Sequence, residues 1–240
     1  MPTLAPIGWR TSSPQASLAF LPPTPLSDLE AGALTNMFPG SEQADLGHRV
    51  FAVRAAFNIR IKMVRNAKGA TRFEQVWEPG AISASAFKGL VTPIAQPAQR
   101  GGALPACQLS MNLIFISDTP CTLQLMPPFF SESFRKWPGS IVSGRFPVYA
   151  WPRALNCVLE WEDADRDWII HRGDPIACVM PIYNDPNLVP DLFEARMTPG
   201  LRRHLARIED VSSYGRNVGP MFERAARSRP AQLLERKRLR

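Results

Sequence analysis

From Leu155 to Trp161 the large apolar residues Leu155, Cys157, Leu159 and Trp161 fall at every second position, the period of a strand with one buried face. This alternation sits inside a longer stretch, Trp137 to Tyr183, that turn chemistry divides into consecutive strands. The polar cluster Glu162 to Arg166 turns the chain after the first of them. A second short strand, Trp168 to His171, runs into Arg172-Gly173-Asp174-Pro175, where Gly173 accepts positive φ and Pro175 interrupts a regular ladder. A third, Ile176 to Ile182, stops at Asn184-Asp185-Pro186. Proline makes up 24 of the 240 residues, about twice ordinary usage. Prolines spaced between periodic segments favour many short strands over long helices.

The same reading extends upstream. Phe51, Val53, Ala55, Phe57, Ile59, Ile61 and Met63 alternate with polar partners and predict one long strand with a wet face. Asn66 to Gly69 makes a turn, and Arg72 to Trp77 returns as its hairpin partner. A short helix is predicted at Ser83 to Leu90. Gln108 to Ser117 is more continuously apolar, as in a central strand, and Asp118-Thr119-Pro120 turns it into Cys121 to Met126. Seven or eight strands before Asn184 predict a mostly β domain, a sandwich or barrel of jelly-roll or β-clip-like type. Trp161 belongs to its core, with Gly173 and Pro175 shaping the turn before its last strand. The chain divides into three regions: a Pro-rich N-terminal arm over 1–48 with a helical turn near Ser27 to Leu34, a β-rich core over 49–190, and a basic helical appendage over 191–240.

The charge is concentrated in that appendage. From Arg196 onward twelve basic residues face four acidic ones, giving +8, while the remainder carries −1. Thr198-Pro199 is a helix start. Leu201, Leu205 and Ile208 recur on one face, with Arg202, Arg203, His204 and Arg207 on the rest. A second helical segment carries Val218, Met221, Phe222 and Ala225, and the last ten residues form a short amphipathic segment. Arginine-rich helices suit phosphate contacts, so Arg202, Arg203 and Arg207 are candidate nucleic-acid contacts. The apolar stripe, by contrast, needs a surface to cover it. Docking on another protein subunit is therefore placed slightly ahead of nucleic acid, with the chain's own β domain as the other surface that could cover the stripe.

Several chemistries find no pattern here. Cys107, Cys121, Cys157 and Cys178 lack CxxC spacing and lie on apolar strand positions, which predicts buried free thiols. His48, His171 and His204 make no close metal-ligand pair. The acidic run Glu160, Glu162, Asp163, Asp165 and Asp167 lacks the spacing of a calcium loop and reads as a solvated turn. Trp137 and Trp151 precede prolines and read as packing around turns. No cofactor is expected. No leader and no membrane-spanning segment is read from the sequence, and the expected setting is cytoplasmic, or virion-associated for a phage-encoded chain.

Two strings carry resemblances. PGSIVSGRFPVYAWPRALNCVLEWED, together with the basic tail ending RSRPAQLL, resembles a family of uncharacterised bacterial and phage-associated proteins with similar PG, GRFP, WPR and EW elements. Those proteins have no settled activity, and what the resemblance implies is a phage-like setting; with no catalytic or metal signature in the chain, the expected function is a non-enzymatic binding or structural component, with a protein partner or self-association. IIHRGDPIACVMPI is similar to the last-strand element of the dUTPase and dCTP deaminase folds and implies a diverged nucleotide-binding or hydrolysing β protein. For that alternative, Arg145, Tyr149 and Arg153 are the candidate binding residues. Hydrolysis of that kind needs a carboxylate to activate water and others to hold Mg²⁺. From Ser133 to Leu159 the chain has no Asp or Glu, so no nucleotide hydrolysis is expected. An Arg-mediated nucleic-acid-binding protein is the third reading.

Overall fold

The computed structural model describes residues 3–12, 21–29, 40–67, 69–94, 104–209 and 219–237. The chain builds a mostly β fold of sandwich or barrel-like form with a C-terminal helical layer. The first sheet runs β14 (Leu188–Glu194), β1 (Thr3–Thr11), β7 (Ala106–Ser117), β11 (Ala154–Trp161), β9 (Gly139–Ile141), with β6 (Val91–Pro93) also paired to β7. The second runs β10 (Gly144–Phe146), β8 (Cys121–Met126), β13 (Pro175–Tyr183), β3 (Phe51–Arg54), β2 (Thr24–Pro25). A third, smaller sheet joins β12 (Trp168–Ile170), β4 (Ile59–Arg65) and β5 (Thr71–Gln75). The helices are α1 (Gly40–Arg49), α2 (Ala84–Leu90), α3 (Pro199–Glu209) and α4 (Gly219–Ser228).

Alternation sorts the side chains into layers. Leu109, Met111, Leu113 and Phe115 of β7, Leu155, Cys157, Leu159 and Trp161 of β11, and Leu123 and Leu125 of β8 share one core with Ile176 and Val179 of β13. Ile114 and Ile116 point out of the other face of β7, towards α3. On the far side of the second sheet, Ala52 and Cys178 pack with Leu26, Val50 and the partly buried Leu46 of α1. Each of these two sheets is thus covered on both faces, which accounts for the near-continuous apolar character of β7 and β13. The third sheet contributes Ile59, Ile61, Trp168 and Ile170 to the main core.

Several expectations hold. Trp161 is buried with Phe73 against it at 5.3 Å, Pro175 opens β13, and α2 is capped by the Ser83 hydroxyl, which accepts from the Ala86 N–H at 3.2 Å. All four cysteines are buried free thiols, and burial pushes Cys107 up to about 12 and Cys121 up to about 11. Trp137 and Trp151 are also buried. Among the described residues no helix is long and apolar enough to cross a membrane.

Others are corrected. The N-terminal 48 residues are not simply an arm: Thr3–Thr11 is an internal strand, parallel to β14 and antiparallel to β7. The helical turn near Ser27 is a single 3₁₀ turn, Leu26–Asp28, and residues 30–34 lie outside the described residues. The long strand from Phe51 to Met63 is two strands in different sheets. The chain breaks at Ala55, whose N–H donates to Asp174 and whose carbonyl accepts from Gly173. The three strands of the Trp137 to Tyr183 stretch likewise separate into three sheets. Thirteen strands precede Asn184 among the described residues, not seven or eight, because two- and three-residue pairings carry no period. The described part of the last ten residues, 231–237, carries no helix: it pairs through an Ala195–Arg236 bridge and buries Leu233 and Leu234.

Gly173 has φ +91°. A Cβ there meets nothing within 4 Å, so only backbone strain opposes a side chain. Gly173→Ala is expected to lose about 1 kcal/mol, read from the urea midpoint. An unshifted midpoint would remove the conformational role assigned to this turn.

Candidate anion-binding site

The C-terminal layer is built by α3. The Thr198 hydroxyl accepts from the Leu201 N–H at 3.1 Å, a helix cap. Leu201, Leu205 and Ile208 are buried, with Leu201 and Leu205 clustered against Ile114 and Ile116 of β7 together with Ala195, Leu233 and Leu234. The surface that covers the stripe is therefore the chain's own sheet. His204 goes with the stripe and not with the arginines: it is 8% exposed. Its spacing explains this, since 201, 204, 205 and 208 follow the i, i+3, i+4, i+7 rule.

A polar clamp fastens the segment C-terminal to α4. The Arg229 Nη2 donates to Asp118 Oδ1 at 2.7 Å and to the Ser117 carbonyl at 3.1 Å. Asp118 also accepts backbone N–H groups from Leu233 at 2.9 Å and Leu234 at 3.0 Å. The guanidinium lies over the Tyr149 ring, 4.3 Å from its centroid, a cation–π contact. The Arg229 side chain is only 2% exposed, yet its Nε and Nη1 have no hydrogen-bond partner among the described residues.

Between α3 and α4 lies a pocket of about 200 Å³ lined by Trp151, His204, Arg207, Met221, Arg224 and Ser228, with Ile208 and Ala225 completing its wall. Phe222 packs edge-on against Trp151 at 5.6 Å. The His204 Nε2 is buried without a partner among the described residues. Burial holds this imidazole below its usual pKa, and the nearby charges of Arg229 and Arg207 add to the effect. Its neutral form is thereby favoured near pH 7, and one ring nitrogen remains an N–H donor. Arg207 and Arg224 are exposed, and neither has an acidic partner among the described residues. Among the described residues no carboxylate lines the pocket. A small cavity with positive charge, apolar walls and an orphaned polar nitrogen is suited to an anion.

No family model, curated protein or solved structure matches this chain.

The residues singled out from sequence separate between two places. Arg202 and Arg203 are exposed on α3 and Arg207 reaches the pocket. Tyr149 serves as the platform for Arg229. Arg145 instead donates to Gln124 at 2.9 Å on β10 and lines another cleft, of about 300 Å³, shared with Glu160. Arg153 is exposed immediately before β11. The acidic run is divided among separate partners: Glu162 accepts from Ser140, Asp163 pairs with Arg166 and Asp167 with Arg60. Sequence reasoning missed His204, Arg224 and Trp151. Helical spacing alone would have placed His204 inward, whereas nothing in the sequence brings Trp151 to α4. Val218 of the second helical segment lies outside the described residues.

Proposed function

We propose that this protein is a non-enzymatic binding component that holds nucleic acid through the arginine face of its C-terminal helical layer. One observation carries the reading: the apolar stripe of α3 is consumed by the chain's own sheet, so what the layer offers outward is charge. Arg202, Arg203 and Arg207 on α3 and Arg224 and Arg227 on α4 are exposed. Only Arg227 among them has an ion pair within the described residues, with Glu223 at 3.4 Å. That pair is open to solvent on both sides and yields readily to a phosphate. The order reached from sequence, docking on protein before nucleic acid, is reversed once its main support has gone inside. The phage-like setting rests on the resemblance of the GRFP and WPR string and belongs to the proposal.

About five phosphate contacts predict that affinity for duplex DNA falls several hundredfold between about 50 and 200 mM salt. Replacing Arg202, Arg203 and Arg207 together by Gln should leave folding intact and lower the slope of log affinity against log salt by about 2.7, at roughly 0.9 per contact. Leu205→Asp should instead disrupt the layer, since Leu205 is buried. Fluorescence anisotropy with single- and double-stranded probes decides the matter. Binding that is insensitive to the triple replacement would overturn the reading, as would no salt-dependent binding at all.

A further inference from the structure

We propose that the pocket between α3 and α4 is a binding site for a phosphate monoester, free or at the end of a nucleic-acid strand. This goes beyond the open arginine face, shares only Arg207 with the replacements above, and does not require nucleic acid to bind there.

Three observations converge on it. First, His204 is more than nine-tenths buried and its ring belongs to the pocket wall, while its Nε2 has no partner among the described residues. Buried polar atoms in native proteins nearly always have partners, so a ligand seated against this wall has a donor to engage by a small movement of the ring. Second, Arg207 and Arg224 line the same cavity while no carboxylate among the described residues does. Two guanidinium forks and an imidazole N–H are matched donors for the terminal oxygens of a monoester, and charge-assisted bonds of this kind are the strong ones. Third, the size decides how much enters. At about 200 Å³ the pocket is smaller than the roughly 300–1,000 Å³ of drug-sized sites. It takes a phosphate and the first atoms of its ester, not an enclosed nucleotide. Trp151, Ile208, Met221 and Ala225 supply an apolar wall, beside which each donor acts more strongly than in bulk solvent.

The test is calorimetry on the full chain with inorganic phosphate, AMP, adenosine, and a short oligonucleotide carrying either a 5′-phosphate or a 5′-hydroxyl. Phosphate and AMP should bind and adenosine should not. If strand ends are the source, the 5′-phosphorylated oligonucleotide should also bind about tenfold more tightly than its 5′-hydroxyl twin. If the source is a free monoester, AMP binds while the two oligonucleotides are alike. Arg224→Gln, at an exposed position that the fold does not need, should weaken phosphate binding at least about tenfold with an unchanged melting temperature. His204→Gln should weaken it as well. Silence from phosphate, AMP and the 5′-phosphate alike at millimolar concentration would overturn the pocket and leave the arginine-face reading standing if the 5′-hydroxyl strand still binds. Phosphate binding untouched by Arg224→Gln would overturn its location. Binding of phosphate with no binding of the hydroxyl strand would support the pocket and remove the arginine face.

Discussion

Asp118→Ala is expected to cost about 3–5 kcal/mol and to detach the segment C-terminal to α4 from the first sheet. The size reflects the several bonds that the carboxylate makes at once. It faces the Arg229 guanidinium at 2.7 Å and caps the Leu233 and Leu234 N–H groups. Without it a guanidinium that is 2% exposed retains the Ser117 carbonyl and the face of Tyr149 as its partners, and an uncompensated buried charge is the costly outcome of breaking such a pair. The converse replacement is milder. Arg229→Met leaves a carboxylate that is 20% exposed and still accepts two backbone bonds, so its loss should be clearly smaller. Urea titration gives the order, and trypsin reports the detachment through faster cleavage in the arginine-rich tail. Equal losses for the two variants would show that the ion pair, and not the double cap, holds the segment. A loss below about 1 kcal/mol for Asp118→Ala would remove the clamp altogether.

This clamp also shows where sequence reading stops. Asp118-Thr119-Pro120 is legible as a turn, and it is one. That the carboxylate of a turn residue fastens a segment 111 residues away has no local signature. Besides β5 and β12, which flanking turn chemistry marked out, the legible strands β7, β8, β11 and β13 are those in which alternation or a long apolar run exceeds five residues. β1 was hidden because Pro6 and Gly8 break the pattern of TLAPIGWRT, although Gly8 is where Leu234 and Ala195 approach the strand. The break between β3 and β4 was hidden for the opposite reason: the alternation continues through it. What divides the two strands is the Gly173 turn, which bonds to Ala55 and, through the Arg172 N–H, to Asn58. The helix start at Thr198 was read correctly, and the burial of His204 would have emerged from the same spacing had its polarity not placed it with the arginines. The pocket itself joins the consecutive helices α3 and α4 to the loop carrying Trp151, far upstream in sequence, so only folding assembles it.

Gly139→Ala should be the most damaging added methyl among the described glycines, at about 3 kcal/mol or more. The position is not one of positive φ, and the argument is about space. An added Cβ would sit deep inside contact distance of the Glu160 carbonyl and crowd the Glu162 N–H. Those atoms are backbone, so no side-chain rotation relieves the clash and β9 must move off β11. Moving it strains the bonds by which the Pro138 carbonyl accepts from Glu162 at 2.9 Å and Asp163 at 2.8 Å. Each is worth about 0.5–1.5 kcal/mol, in addition to the roughly 1–3 kcal/mol of ordinary overpacking. Gly89→Ala provides the contrast within the same chain. It lies in α2 with nothing within 4 Å of an added Cβ, and there the methyl should stabilise by about 0.5–1 kcal/mol, because alanine is the better helix former. Paired urea titrations should therefore move in opposite directions. If Gly139→Ala folds with an unchanged midpoint, β9 and β11 do not approach as closely as the structure has them.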